Sequence, residues 1–267
     1  MTIVVLLILG GAAAGGFGSL LGLGGGILLI PLLTLGFELP LREAVGVSLV
    51  SVIVTSGTAA AVYLDRGVAD LRLGMSLELF TAAGALLGAF VAFLVSEQLI
   101  AALFAGLLVY TAFSMARGSR GAVATPSASA RPASGADPAR APYEVRHRGR
   151  GAAASLGAGV ISAMLGVGGG IVMVPVMHLG MGVPLRVAAA TSNLMIGVTA
   201  SAAAIVYLAR GGIDPYVVGP VAVGVFVGAS LGSRAAHRID VRWLRMLFVI
   251  VLLYSAVLMI RRGLGIA

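Results

Sequence analysis

The sequence lacks cysteine altogether and has few charged residues. Without cysteine among its 267 residues, it can form no disulfide, thiolate metal site or thiol relay. Asp, Glu, Lys and Arg together make up 10% of the chain, against about 25% in an ordinary soluble domain. So few charges cannot cover a surface that faces water. Most of the exterior is therefore predicted to face lipid.

Hydrophobic residues take the place of the missing charges, at 59% of the chain and a mean hydropathy of +1.07. A helix needs about 20 mainly apolar residues to cross a bilayer. The sequence predicts an all-α polytopic membrane protein with about eight hydrophobic segments. The eight segments are residues 3–37, 44–64, 73–95, 98–116, 152–182, 187–208, 216–233 and 243–260.

The net charge of +8 comes from arginines that lie between the apolar segments rather than along one helix face. Arginines in such positions are typical of cytoplasmic loops in membrane proteins. A nucleic-acid-binding protein concentrates its basic residues in a stripe or patch instead. The lipid bilayer is therefore the predicted partner, with multi-pass insertion in the inner (plasma) membrane and no nucleic-acid ligand.

Residues 117–151 interrupt the apolar pattern. This stretch is rich in Ala, Arg, Pro, Ser and Gly, has no helical or strand period, and carries seven arginines. It is predicted to be a flexible linker, because such a composition cannot bury a core. Its arginines place it in the cytoplasm. The linker separates a first membrane repeat, 1–116, from a second, 152–267.

The two repeats resemble each other in sequence. Residues 22–31 read GLGGGILLIP and residues 166–175 read GVGGGIVMVP, and the same offset pairs the tripeptide Pro-Leu-Arg at 40–42 with that at 184–186. A match of this length without a gap indicates an internal duplication. Duplicated membrane halves are typical of secondary transporters, in which the substrate binds where the halves meet.

The first segment of each repeat is too long for one span. Thirty-five helical residues would measure about 52 Å, against a hydrocarbon core of about 30 Å. The three consecutive glycines inside each segment disfavour a helix, so an interruption is predicted there. If each interrupted segment crosses the membrane twice, the halves become inverted repeats; if once, they are parallel. The cytoplasmic-arginine pattern of residues 234–245 favours the first model, and that of residues 261–262 favours the second.

The glycine runs are candidate anion sites. Unwound backbone at membrane depth is tolerated only where it is buried in protein or lines a polar cavity. Successive glycine amides, followed by the N-terminal end of a helix, can bind an anion without a charged side chain. Close helix packing is the alternative role of such glycines. The glycines predicted to bind substrate are Gly24, Gly25, Gly26, Gly168, Gly169 and Gly170.

Polar residues follow each Pro-Leu-Arg tripeptide on the next helix. Hydroxyl and amide groups can donate to an oxyanion and cost less within a bilayer than a lysine. They also form hydrogen bonds between membrane helices, which is the alternative role. The side chains predicted to contact substrate are Ser48, Thr55, Ser192, Asn193 and Thr199.

Four ionisable residues are further candidates. Arg42 and Arg186 are matched at the start of that helix and can attract anions, or simply anchor the helix end at the membrane surface. Glu78 could take up a proton, but its position near the start of its segment favours an interfacial carboxylate. His178 has Thr34 at the equivalent position and is interpreted as a local feature.

The duplicated element Gly-x-Gly-Gly-Gly-x-x-x-x-Pro, followed by Pro-Leu-Arg and a helix with Ser and Thr, resembles the TauE/SafE sulfite-exporter-like permeases. The resemblance covers nearly the whole chain apart from the linker. It implies transport of sulfur-containing anions such as sulfite or organosulfonates, coupled to an ion gradient.

The sequence thus favours a secondary transporter of small anions that is not an enzyme and has no cofactor or metal. An anion channel and a membrane scaffold are the alternatives from other classes. An intramembrane hydrolase using Ser19 and His178 is disfavoured, because no orienting acid accompanies that pair. Residue patterns leave open the substrate, transport direction, coupling ion and any homo-oligomer.

Overall fold

The computed structural model describes residues 2–21, 25–65, 69–116, 148–235 and 241–263. These ranges are helical apart from short turns, which confirms the all-α prediction. The helices are α1 (Thr2–Leu21), α2 (Gly26–Pro31), α3 (Leu41–Asp65), α4 (Leu71–Leu94), α5 (Glu97–Ala116), α6 (Arg148–Leu165), α7 (Gly170–Pro175), α8 (Leu185–Ala209), α9 (Pro215–Ala235) and α10 (Val241–Gly263). Both α2 and α7 continue into a π-helical turn, Leu32–Gly36 and Val176–Gly180 respectively.

Within the described part of the chain, four helices are long and apolar enough to cross a membrane. These spans are Thr2–Ser19, Leu71–Leu94, Val187–Ala209 and Pro215–Gly232. On α4 the large side chains of Met75 and Leu79 are 75% and 73% exposed, whereas Ala85 and Ala89 are fully buried. A water-soluble helix shows the opposite pattern, so this surface fits a lipid environment.

Glycines bring α1 and α9 into close contact. A Cβ atom added to Gly11 would lie 2.6 Å from the carbonyl oxygen of Val221, and one added to Gly15 would lie 2.6 Å from that of Val225. Both contacts are therefore backbone against backbone, as small residues at a four-residue spacing allow in membranes. Because the residue numbers of the two helices rise together, α1 and α9 are parallel.

The pairing of α4 with α6 is built in the same way. Gly84 faces the backbone of Leu156, and Gly88 faces that of Val160, so these helices are also parallel. In both pairs, one helix comes from residues 1–116 and the other from residues 152–267. The two halves of the chain are therefore interleaved rather than packed side by side as separate bodies.

Helices α3 and α8, which occupy equivalent positions in the two halves, pack against each other in opposite directions. Gly46, near the start of α3, lies against Gly212, just beyond the end of α8. Further along α3, the hydroxyl of Ser56 donates to the carbonyl oxygen of Asn193, near the start of α8, at 2.8 Å. The two helices are therefore antiparallel.

The predicted linker, 117–151, is only partly covered by the described residues. Helix α6 begins at Arg148, so residues 148–151 are helical. Residues 117–147 lie outside the described part of the chain.

Candidate functional site

Two helices are interrupted beside the glycine runs. Gly25 precedes α2 with a φ of 77°, and between α6 and α7 the φ angles of Gly166 and Gly168 are 63° and 73°. Side chains with a Cβ atom clash with the backbone at such positive φ angles, whereas glycine adopts them freely. The glycines therefore specify where each interruption lies.

After the first interruption the chain turns back along α1. Gly25 lies close to the carbonyl oxygen of Ala14, and Gly10 lies close to the side chains of Leu32 and Phe37. Residue numbers in α2 and its π-helical turn thus rise as those of α1 fall. The segment predicted as one long interrupted helix is a hairpin of two antiparallel helices.

The two glycine runs meet between α3 and α8. The hydroxyl of Ser48 donates to the carbonyl oxygen of Gly166 at 2.6 Å, and it lies 3.2 Å from the carbonyl oxygen of Gly26. Gly168 lies against Val52 of α3 and Ile196 of α8. The backbone of both halves therefore converges on one buried region, which we call the glycine core (Gly25, Gly26, Gly166 and Gly168–Gly170).

Two buried hydroxyls at the glycine core have no hydrogen-bond partner among the described residues. They belong to Ser162 on α6 and Ser192 on α8, whose exposed fractions are 4% and 1%. The Oγ atom of Ser192 lies 3.4 Å from where a Cβ on Gly170 would be, and that of Ser162 lies 3.8 Å from a Cβ on Gly169. Buried polar groups are nearly always satisfied, so two unpartnered donors beside one glycine run make this region the candidate binding site.

The remaining predicted hydroxyl and amide groups bond within the protein. Thr55 donates to carbonyl oxygens of its own helix, and Asn193 Nδ2 donates to the carbonyl oxygen of Ala189 at 3.1 Å. Thr199 donates to Glu78 Oε1 at 2.9 Å. These three side chains therefore have protein partners in this conformation, unlike Ser192.

Arg42 belongs to the start of α3, and its side chain lies at the C-terminal end of α4. Its guanidinium donates to the carbonyl oxygens of Ala92 at 3.2 Å and Val95 at 2.7 Å, and it lies 5.7 Å from the ring centre of Phe93. Cations stabilise the C-terminal end of a helix, where carbonyl groups lack partners. This geometry is that of a helix anchor. Gly24 and the side chain of Arg186 lie outside what the structure describes.

Glu78 is buried, and the expectation of an interfacial carboxylate is wrong. Its exposed fraction is 9%, and its Oε2 atom has no partner among the described residues. The reason is where α4 begins: the amide of Asp70 donates to the hydroxyl of Thr191, which is already inside α8, at 2.9 Å. Helix α4 therefore starts alongside α8 rather than beyond its end, and Glu78 lies against the middle of α8.

Ser162 is a site residue that sequence comparison of the repeats did not indicate. Its equivalent in the first half is Gly18, so the duplication gives no hint of a shared role. The available signal was its position in the last turn of α6, directly before the second glycine run. Ser19 and His178, the disfavoured hydrolase pair, each bond to nearby backbone, at Gly16 and Val183 respectively.

An apolar cavity of about 490 Å³ lies beside the first hairpin. It is formed by α1, α2 with its π-helical turn, and α10. Leu28, Pro31 and Leu32 line one wall, and Tyr254 and Ser255 are among the few polar residues in it. A cavity so poor in hydrogen-bond donors does not suit an oxyanion, so the glycine core is the better candidate site.

Helices interrupted inside an apolar bundle, with buried polar groups at the interruptions, define a membrane transporter. A family model described as "Sulfite exporter TauE/SafE" matches residues 7–259. The chain therefore belongs to the TauE/SafE sulfite exporter family, which confirms the resemblance seen in its glycine motifs.

Two curated relatives carry transporter names. The chain is similar to Probable membrane transporter protein YunE of Bacillus subtilis (strain 168), with 26% identity over 280 residues that cover 98% of this chain and 99% of the relative. It is also similar to Probable membrane transporter protein YdhB of the same organism, with 26% identity over 88% of this chain and 89% of that relative. No solved structure matches the chain.

Proposed function

We propose that this transporter carries small sulfur-containing oxyanions, such as sulfite or organosulfonates, across the plasma membrane through the glycine core. The observation that carries the proposal is the pair of unpartnered hydroxyls, that of Ser162 close to Gly169 and that of Ser192 close to Gly170. The family description, which names a sulfite exporter, supports the proposed substrate class.

The chemistry of the glycine core suits an oxyanion. Hydroxyl groups and backbone amides are neutral donors, and an anion accepts from several of them at once. The amides of Val172 and Met173 already donate to Gly169, at 3.1 and 2.8 Å. The amides of Gly170 and Ile171 belong to the first turn of α7, where amide groups have no acceptor within the helix. With Ser162 and Ser192, they supply up to four donors without a buried cation.

The conformation described is closed around this region. The Oγ atoms of Ser162 and Ser192 are out of contact with solvent. A substrate can reach them only after α6, α7 or α8 moves. This requirement favours a carrier that opens alternately to the two sides over a channel with a continuous polar path.

Substitution of Gly169 by alanine tests the site. The φ of Gly169 is an ordinary −59°, and a new Cβ would meet Met173 at 3.6 Å and Ser162 at 3.8 Å, so the protein should fold normally. The methyl group would nevertheless occupy space beside the Ser162 hydroxyl. We expect saturable uptake of labelled sulfite or an organosulfonate into proteoliposomes to fall about 10-fold or more, as when a charged ligand loses one hydrogen bond.

The matched control is Gly157→Ala, because Gly157 lies on α6 and has nothing within 4 Å of its added Cβ. This variant should transport at the normal rate. Equal flux in the two variants would show that substrate does not pass through the glycine core. If the unmodified protein inserts normally but moves no sulfite, organosulfonate or sulfate, the scaffold alternative is favoured.

We also infer that the halves are inverted repeats. The support is the antiparallel contact of α3 with α8, since equivalent helices run in opposite directions only when the relating two-fold axis lies in the membrane plane. Gly169 lies close to Ser162 and Gly151 lies close to Met181, so α6 and the segment that follows it form a second hairpin. With the hairpin of α1 and α2, each half then has five membrane segments. Residues 234–245 come to lie in the cytoplasm under this arrangement, as their arginines favour.

Single cysteines can test this topology cleanly, because the native chain has none. His237→Cys, between α9 and α10, should react with an impermeant maleimide only from the cytoplasmic side. Ser96→Cys, between α4 and α5, should react from the outside under either topology, and Ser134→Cys in the predicted linker from the inside. Labelling of His237→Cys from the outside would exclude inverted repeats.

A further inference from the structure

Glu78 is a buried acid that the proposed anion site does not use. Its neighbour on α8 is Thr199, whose hydroxyl donates to Oε1 at 2.9 Å, while Oε2 has no partner among the described residues. An ionised carboxylate with one neutral donor is costly in an apolar interior. Its negative charge there needs to be compensated by a proton or another cation.

The surroundings of Glu78 offer no permanent counter-charge among the described side chains. Helix α4 packs on α6 and α8. The charged groups described on these three helices or next to their ends are Asp70, which caps α4; Arg72 and Arg150, which are exposed near helix starts; Arg42, which donates to carbonyl oxygens at the C-terminal end of α4; Glu97, at the start of α5; and Arg210, whose guanidinium lies over the Phe90 ring. None of these groups is in contact with Glu78, so no described side chain compensates its charge, and a proton taken up from solution can do so.

Glu78 is also close enough to the glycine core for its charge to affect anion binding there. Thr199 follows Ser192 by seven residues on α8, which is two turns, or about 10 Å. Two negative charges about 10 Å apart at an effective dielectric constant of about 20 repel each other enough to weaken binding about 10-fold. The equivalent residue in the second half is Ala222, so only one half has this acid.

We propose that Glu78 is the proton-binding site that couples this transporter to a proton gradient. The inference rests on the proposed anion transport. The carboxylate takes up one proton from the aqueous side to which the site is open, the anion binds about 10-fold more tightly, and both are released on the other side. Thr199 positions the carboxyl group and is not itself a proton carrier.

Anion affinity as a function of pH tests the coupling. The probes are methanesulfonate and sulfate, which stay fully ionised while a carboxyl group titrates. Their binding affinity is measured by calorimetry on the purified protein. In the unmodified protein the affinity should fall about 10-fold as pH rises and Glu78 loses its proton. Glu78→Gln, which mimics the protonated acid, should bind tightly at every pH, whereas Glu97→Gln, at the partly exposed start of α5, should behave like the unmodified protein.

Transport assays supply the second measurement. In proteoliposomes, Glu78→Gln should retain anion exchange between the two sides but lose its stimulation by a proton gradient. Thr199→Val keeps the acid and removes its donor, so it should shift the pH midpoint without abolishing the stimulation. A Glu78→Gln protein that is still driven by the gradient would overturn the proposal.

Infrared difference spectroscopy separates this proposal from the proposed function. The carbonyl band that protonated Glu78 contributes should appear as the pH falls in the unmodified protein and be missing from Glu78→Gln, in which only the bands of the other carboxyl groups remain. If no anion binds or moves but this band titrates, anion transport is wrong and the proton site stands. If anions bind and move without the band or any pH-dependent affinity, the proton site is wrong.

Discussion

Replacement of Ser192 by alanine is expected to weaken anion binding and to stabilise the protein at the same time. The hydroxyl of Ser192 is 1% exposed and without a partner among the described residues. Its removal should therefore raise the free energy of unfolding by about 1 kcal/mol, because an unsatisfied buried donor is destabilising. A bound oxyanion would lose one donor, which corresponds to an affinity about 10- to 100-fold lower.

The matched variant is Ser48→Ala, at the equivalent position of the first half. Ser48 donates to the carbonyl oxygen of Gly166 at 2.6 Å and ties the two halves together. Its loss should lower the free energy of unfolding by about 1–3 kcal/mol, because that carbonyl is left with an unmet hydrogen bond. Chemical denaturation of both variants, with calorimetric titration of sulfite or methanesulfonate, measures both quantities. If Ser192→Ala were the destabilised variant, Ser192 would have a structural partner and the proposed site would lose its main support.

A large loss of stability is also expected from a substitution at Gly228. A Cβ atom added there would overlap the backbone of Ala12, because α1 and α9 touch at this point. Backbone cannot move aside as a flexible side chain can, so Gly228→Ala should lower the free energy of unfolding by about 1–3 kcal/mol, as overpacking does in well-packed cores.

Gly219→Ala provides the comparison on the same helix. Gly219 has nothing within 4 Å of its added Cβ, so only the helix propensity changes there, and alanine is favoured over glycine by about 1 kcal/mol. Thermal and denaturant unfolding in the same detergent should move the two variants in opposite directions. Equal stability of the two would show that α1 and α9 are less closely packed than described.

How far the sequence predicts the structure depends on whether a feature is local. The interruption at Gly168 follows from residue type alone, since its φ of 73° favours glycine. The burial of Glu78 could not be predicted, because it results from the start of α4 beside Thr191, which lies far away in sequence. Distance from the start of a segment was taken as depth in the membrane, and that assumption fails when a helix begins alongside the interior turns of its neighbour.

The different hydrogen bonding of equivalent residues in the two halves could not be predicted from the sequence either. Ser48 and Ser192 are the same residue at the same offset, yet one bonds to Gly166 and the other has no partner among the described residues. Ser162 went unnoticed because its counterpart is Gly18. Comparison of repeats finds shared features, whereas the candidate site depends on differences between the halves that appear only when their backbones are placed together.

The interleaving of the halves carries a consequence for the origin of the chain. Helix α1 packs on α9 and α4 packs on α6, so in these two pairs each half buries its glycine-lined surfaces against the other half. A half-length ancestor could not have satisfied those surfaces alone. Under the proposed inverted-repeat arrangement, such an ancestor would have inserted into the membrane in both orientations and assembled as a pair before gene fusion fixed one copy in each orientation.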